Sequence, residues 1–229
     1  MYTIHAIIFE QKQPRSDSGL FQIFERINTS GKTLNPQEIR NCVYQGKLNA
    51  LLFELNKNKS WRILFGDDKE DSRMRDIEFI LRFFALSEST IIFSDAKTIT
   101  LKKELNEYMS AHVDGENALF DKKREIFINC VSYILDKMGN EAFYNLRNDL
   151  SSVRKKFYPT IFDSLMIATK IALERGYNDD SPLIERRLEL LRNPDYRDSI
   201  TQGTMQTEHI RTRVSKALKI IYQMNLEYE

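Results

Sequence analysis

Residues 30–33 have the chemistry of a phosphate-binding loop, because they contain the Gly-Lys-Thr triplet that contacts nucleotide phosphates in many proteins. A complete loop of this kind also needs a glycine five residues before Gly31, and that position holds Arg26. It further needs a strand ahead of the loop, whereas residues 17–27 have the apolar spacing of a helix. The spacing therefore does not support a Walker-type nucleotide site.

The other residue types that carry catalysis are scattered along the chain. Glu10 and Lys12 match only the E-x-K half of a restriction-type nuclease site, and no upstream carboxylates complete a metal site. Asp76 and Glu78 stand two residues apart on a helix, so they point to different faces. The histidines at 5, 112 and 209 and the cysteines at 42 and 130 match no zinc or nucleophile pattern. We expect no catalytic residues, no metal ligands and no activity of the chain alone.

Residues 35–38 form the clearest local signal. Asn35 can accept hydrogen bonds from the first amides of a helix, Pro36 suits its first position, and Glu38 can reach back to the cap. The same helix start is also suited to an anion, because it presents main-chain amides near cations. The two interpretations, a capped helix and an anion site, both stay open. The cations that would line the anion site are Arg26, Lys32 and Arg40.

Clusters of basic residues give a second candidate surface. One of them lies on a helix whose Ile210, Val214 and Leu218 face inward, so its charges can share a solvent face that tracks phosphates. Lys156 is followed by two aromatic residues, a combination that also suits nucleic acid. A solvated helix surface is the competing interpretation. The predicted DNA-binding residues are Arg73, Arg75, Lys155, Lys156, Arg211, Arg213 and Lys216.

The elements that must position these residues are mostly helices. Apolar residues recur with helical spacing in stretches covering residues 20–27, 36–45, 48–55, 71–86, 100–112, 117–138, 159–175, 182–192 and 207–226. Residues 1–9 alternate with period two and predict one strand, and residues 90–93 are a weaker strand candidate. The sequence predicts a mainly α protein, a multi-helix bundle with a short N-terminal strand.

Composition narrows the class of protein further. The 229 residues carry 34 Lys and Arg against 33 Asp and Glu, so a uniformly basic DNA-binding chain is excluded and any nucleic-acid contact must be local. No apolar run approaches the ~20 residues that span a bilayer. The two cysteines form no CxxC pair. These features predict a soluble cytoplasmic protein without a membrane partner.

Residues 24–41, with the sequence FERINTSGKTLNPQEIRN, connect the chain to a known family. They resemble the F-x-R-I-N-x-G-G-x-x-L-x-x-Q-E-I-R-N motif in the N-terminal, ParB-like region of GmrSD-type restriction proteins, a domain of unknown function. Weaker similarities follow at residues 44–46, 71–83, 157–159 and 197–204, so the resemblance runs nearly end to end. The chain departs from the motif at Ser30, where the family often has glycine.

The resemblance implies modification-dependent restriction or phage defence, with nucleotide chemistry in a D-G-Q-Q-R motif and cleavage in a separate HNH-type domain. This chain has neither motif, and its one Asp-Gly pair is Asp114-Gly115 in a helical region. We therefore expect the helical second half of the ParB-like region, with residues 1–60 as the edge of that region and 61–229 as a helical bundle. The predicted strand would be left from its sheet. Arg26, Asn28, Gly31 and Glu38 would complete a nucleotide or DNA site.

Three functions remain open on this basis. The first is a non-catalytic module that contacts DNA or couples nucleotide state to a nuclease subunit. The second is an NTP-binding or hydrolysing subunit, with NTP as a cofactor in the full-length family context and none in this chain alone. The third is an interaction fragment that completes a partner's ParB-like domain, the missing N-terminal half, by strand addition at residues 2–9.

Overall fold

The computed structural model describes residues 33–226 together with Gly19, Phe21, Ile23 and Arg26. These four residues have helical backbone, within the stretch where the sequence predicts a helix. The predicted strand over residues 1–9 lies outside the described residues. The described part is mainly helical, as expected, with eleven helices that hold 63% of its residues and one small antiparallel sheet.

The elements follow one another in a simple order. The helices before the sheet are α1 (Pro36–Val43), α2 (Lys47–Asn56), α3 (Lys59–Phe65), α4 (Arg75–Leu86), α5 (Ser89–Ile92), α6 (Leu101–Ala111) and α7 (Asn117–Met138). The sheet consists of β1 (Tyr144–Leu146) and β2 (Val153–Phe157). The helices after it are α8 (Pro159–Glu174), α9 (Ile184–Arg192), α10 (Pro194–Thr201) and α11 (Thr207–Ile221).

Local signals account for where several helices begin and end. The long helix α7 has the bounds that the sequence predicts, and it ends at Gly139, whose φ of 76° favours glycine. Helix α4 begins four residues later than predicted, because Met74 has a φ of 56° and interrupts helical geometry. Residues 89–92 form the single helical turn α5, so the strand predicted at 90–93 is wrong. The hairpin, α3 and α10 are elements that the sequence patterns did not predict.

Helix α8 lies at the centre of the bundle. It packs against α4, α7 and α11, and most of its side chains are buried all round, as its nearly continuous apolar sequence predicts. Helices α9 and α10 pack on α11, while α2 and α3 pack on α7. Helix α2 belongs to the first predicted domain and contacts α4 and α7 of the second, and one core cluster includes side chains from both. The predicted division at residue 60 stays a prediction.

A cluster of aromatic rings fills the space between α3, α4, α7, α8 and β2. Trp61 is fully buried, with its ring centroid 5.5 Å from that of Phe162 and 5.3 Å from that of Phe65. Phe79 lies 4.6 Å from Phe157, the last residue of β2. Such ring pairs contribute about 0.5–1.5 kcal/mol each beyond area burial. The cluster therefore fixes the end of the hairpin to the helical core.

Asp163 carries a buried charge that joins three helices. From α8 it accepts hydrogen bonds from Arg82 of α4, one of them at 3.1 Å from Nε to Oδ1, and lies 3.9 Å from Nη2 of Arg213 of α11. Burial lowers the pKa of Arg82, but the Asp163 charge and hydrogen bonds outweigh it and raise that pKa. Burial lowers the pKa of Arg213 despite Asp163. The Asp163 carboxylate therefore neutralises the charge of Arg82 more fully than that of Arg213.

None of the helices in the described range combines the length and the apolar character needed to cross a membrane.

We expect Asp163→Asn to lower the free energy of unfolding by about 3–5 kcal/mol, because it leaves two buried guanidinium groups without their counter-charge. The control is Glu174→Gln on the same helix, which removes a surface pair with Lys170 and should cost less than about 1 kcal/mol. Urea unfolding followed by Trp61 fluorescence measures both. Equal losses in the two variants would contradict the role given to Asp163.

Native alkylation should separate the two cysteines. Burial raises the pKa of the Cys130 thiol to about 12, while Cys42 is exposed. Because only the thiolate reacts, burial and the raised pKa both protect Cys130 at pH 8. Iodoacetamide at that pH should label Cys42 and spare Cys130 until urea unfolds the chain, as read by peptide mass spectrometry. Rapid native labelling of Cys130 would contradict this packing.

Candidate functional site

The start of α1, predicted as either a capped helix or an anion site, is a capping box. Asn35 Oδ1 accepts hydrogen bonds from the main-chain amides of Gln37 and Glu38, each at 2.9 Å. Glu38 Oε2 accepts one from the Asn35 amide at 2.6 Å. Pro36 has no amide hydrogen, so the amides at this helix start already have acceptors. The structure therefore favours the capped helix.

Among the cations predicted beside this helix start, Arg40 has structural partners. Arg40 is buried, with Nη2 2.5 Å from Glu78 Oε2 and Nε donating to Gln37 at 2.8 Å. Burial lowers the pKa of Arg40, and Glu78 opposes that shift. Arg26 is exposed. The prediction that Glu38 and Arg40 bind an anion is therefore corrected, since both hold α1 in place. The remaining predicted positions, Asn28, Gly31 and Lys32, lie outside the described residues.

The predicted basic face of α11 is neither uniformly exposed nor uniformly basic. Arg213 is fully buried, where Nη1 donates to the Thr204 carbonyl at 2.6 Å, so its assignment to a DNA-binding face is corrected. Arg211 Nε lies 3.3 Å from the Ile92 carbonyl oxygen, and Lys216 lies 2.5 Å from Asp195. Arg213 is buried because it lies beside the apolar residues Ile210 and Val214 on the side of the helix that faces the bundle.

A cleft of about 560 Å³ borders the exposed side of α11. Three carboxylates and one lysine are among its lining residues, which include Asp195, Asp198, Glu208 and Lys216. A phosphate backbone would meet repulsion at this surface. Within the described range, no group of three or more His, Cys, Asp or Glu side chains could hold a metal ion.

The two basic residues at the start of α4 are partly neutralised. Arg73 Nη2 donates to the Thr33 carbonyl at 3.0 Å and lies 3.4 Å from Glu38 Oε2. The side chain of Arg75 is 73% exposed and forms an ion pair with Asp71 at 2.5 Å. Exposed pairs of this kind are weak, so Arg75 remains available to a ligand at the cost of that pair.

The hairpin β1–β2 brings together the strongest run of exposed positive charge. Arg154, Lys155 and Lys156 are all exposed, and none of them forms an ion pair with a residue that the structure describes. Arg147, at the other side of the turn, is exposed as well. Asp149 is the one acidic residue between the start of β1 and the end of β2. The predicted residues Lys155 and Lys156 thus lie on a local basic surface, here called the basic hairpin, comprising residues 144–157.

An irregularity in β2 explains why three consecutive cations face solvent. Tyr144 pairs with Phe157, yet the next residue of β1, Asn145, pairs with Arg154. Two residues of β2, Lys155 and Lys156, therefore have no opposite residue and form a bulge. In a regular strand Lys155 would share the core-facing side of Val153 and Phe157, because side chains alternate with period two. The bulge turns Lys155 outward instead.

Arg187 of α9 fixes the first strand of the hairpin. It is 2% exposed, and its guanidinium donates hydrogen bonds to three main-chain carbonyl groups: Glu141 at 2.5 Å, Ala142 at 2.8 Å and Tyr144 at 2.6 Å. Burial lowers the pKa of Arg187 to about 10. The sequence signal for its burial is spacing, since Arg187 lies four residues after Leu183 and three and four residues before Leu190 and Leu191, all of them buried.

The turn of the hairpin is held by its own main chain. The amide of Arg147 donates to the Ser152 carbonyl at 2.8 Å, and the amide of Leu150 donates to the Arg147 carbonyl at 2.9 Å. Leu150 has a φ of 59°, which is unfavourable for a residue with a side chain, and packs against the core. The tip is therefore a defined conformation.

We expect Arg187→Lys to loosen the hairpin, because an ammonium group cannot bond all three carbonyl groups in the guanidinium geometry. Hydrogen exchange should accelerate for the amides of residues 144–157 by about tenfold or more, corresponding to about 1.4 kcal/mol of lost local stability. The control is Arg192→Lys, an exposed position at the end of the same helix. Unchanged exchange in the hairpin of Arg187→Lys would contradict its anchoring role.

Comparison with protein-family models, curated proteins and solved structures finds no match to this chain.

Proposed function

We propose that this chain is a non-catalytic helical module that contacts DNA through the basic hairpin, within a restriction or phage-defence system of the GmrSD-like kind. The observation that carries the DNA contact is the run of three exposed cations at Arg154, Lys155 and Lys156, which have no ion-pair partner among the described residues. Cations of this kind bind phosphates and release condensed counterions. The assignment to a restriction system rests on the resemblance of residues 24–41.

The contacts at the other predicted surfaces support the choice of the hairpin. The described part of the motif helix uses its first amides and Arg40 internally, so it offers little to a nucleotide. The exposed side of α11 borders carboxylates. A DNA-contacting module of a restriction system works in the cytoplasm, and two cysteines without a disulfide are compatible with that location. A nuclease subunit is the expected partner.

The test compares two triple charge reversals in the full 229-residue chain. One reverses the hairpin: Arg154→Glu, Lys155→Glu and Lys156→Glu. The matched control reverses Lys122, Arg192 and Lys219, which are also exposed and give the same net charge. Fluorescence anisotropy with a labelled DNA fragment at about 50 mM salt should show binding that is weakened about tenfold or more by the hairpin variant. The control should lose less than about threefold.

Two outcomes of the DNA-binding measurement would overturn the proposal. One is the absence of DNA binding by the unaltered chain at low salt, and the other is an equal loss in both variants. Binding to vesicles of anionic phospholipid in place of DNA would also overturn it, because it would assign the cations to a membrane surface. Circular dichroism of both variants verifies that the helical fold is retained.

A further inference from the structure

The described part of the chain presents cations without exposed aromatic rings. Its exposed large apolar side chains are Leu34, Ile63, Leu119 and Ile184, and none of them is aromatic. The aromatic residues near the cations are partly or fully packed against other residues. Phe157 packs within the ring cluster, while Tyr144 and Tyr158 are half-buried. Proteins that bind single strands usually stack bases on exposed rings, so this surface lacks the groups for that mode.

The dimensions of the hairpin suit a double helix. Two hydrogen-bonded strands lie about 4.8 Å apart, so the hairpin is narrower than the major groove, about 12 Å wide, and its cations can contact the phosphates at the edge of that groove. Arg154 and Lys156 are two residues apart, so at most about 6.8 Å of chain separates them, and less where the bulge shortens the strand. With Arg147 beyond the turn, the hairpin offers up to four phosphate contacts. These side chains can reach phosphates of a duplex without unstacking its bases.

Charge is distributed unequally across the two sides of the hairpin. Residues 67–70 form an exposed loop in which Asp67, Asp68 and Glu70 outnumber the single cation Lys69. Gly66, the residue before this loop, lies close to Tyr144 of β1. A Cβ atom added to Gly66 would be 2.8 Å from the tyrosine hydroxyl oxygen. The loop therefore brings a net charge of −2 to the sequence next to Gly66 and Tyr144. The cations lie on β2 and at the turn. The positive charge that a polyanion would contact is therefore concentrated on β2.

We infer that the ligand of the basic hairpin is the sugar–phosphate backbone of double-stranded DNA, approached along β2 and bound without selection of bases. This inference rests on the proposed function. It specifies the form of the nucleic acid and the mode of contact. The bulge at Lys155 and Lys156 is the device that makes the contact, because it places both ammonium groups outside the strand pairing and away from the core.

The experiment measures anisotropy with a duplex of about 20 base pairs, with each of its separated strands and with a duplex of scrambled sequence. The duplex should bind about tenfold more tightly than either strand, and the two duplexes should agree within about twofold. Between 50 and 200 mM salt, the slope of log K against log salt should be about −3 to −4 for up to four phosphate contacts. Lys155→Gln with Lys156→Gln should reduce that slope by about 2.

Substitutions in the loop of residues 67–70 should change DNA affinity in the opposite direction to the hairpin substitutions. Neutralising it with Asp67→Asn, Asp68→Asn and Glu70→Gln should strengthen duplex binding several-fold, because repulsion beside β1 is removed. The control neutralises Asp95, Asp121 and Glu125, which are exposed on other elements. A gain confined to the loop variant supports approach along β2, and equal effects in the two variants would overturn it.

The outcomes separate this inference from the proposed function. Tighter binding to single strands, still weakened by the hairpin charge reversal, would overturn the duplex assignment and leave DNA contact standing. A preference for one duplex sequence above about tenfold would overturn binding without base selection. The absence of all DNA binding would overturn the proposed function itself.

Discussion

The buried carboxylate of Asp163 is the constraint on which the arrangement of the bundle depends. A charge in the core has to be neutralised by groups that reach it from neighbouring elements, and these groups are Arg82 and Arg213. The three residues join α4, α8 and α11 through directional contacts, which apolar packing alone does not supply. Because one carboxylate faces two guanidinium groups, the site also carries an excess of positive charge. Arg213 Nε has no hydrogen-bond partner among the described residues, which is the cost of that arrangement.

The surface hairpin depends on this core through several contacts of different chemistry. Asp163 positions α8, whose Phe162 packs directly against Phe157 at the end of β2. Arg187 bonds the carbonyl groups around β1, and Leu150 contacts the core from the turn. A two-stranded sheet of this size is marginal on its own. The basic side chains are exposed on a rigid support because the apolar and hydrogen-bonding groups behind them are buried.

The sequence was sufficient where structure is determined by neighbouring residues. The bounds of α7, its glycine stop and the capping box of Asn35 and Glu38 all follow from interactions over a few positions. Prediction from the sequence was wrong where a residue's position depends on a partner that is distant in sequence. The hairpin was missed because the bulge at Lys155 removes the alternation that identifies a strand. Arg213 was placed on a solvent face because its partner Asp163 is fifty residues away in sequence, and local charge patterns contain no information about that pairing. The same holds for Arg40, whose partner Glu78 is 38 residues away in sequence.

The bulge has a consequence for how this surface can change over evolutionary time. Residues within a paired strand are restricted on both sides, by cross-strand neighbours and by the core. Lys155 and Lys156 escape both restrictions, since they face no residue on β1 and point away from the bundle. Their identity can vary with little effect on folding. Mutation can therefore tune the affinity of the hairpin for its ligand, or redirect it to a ligand of another charge, while the scaffold stays the same.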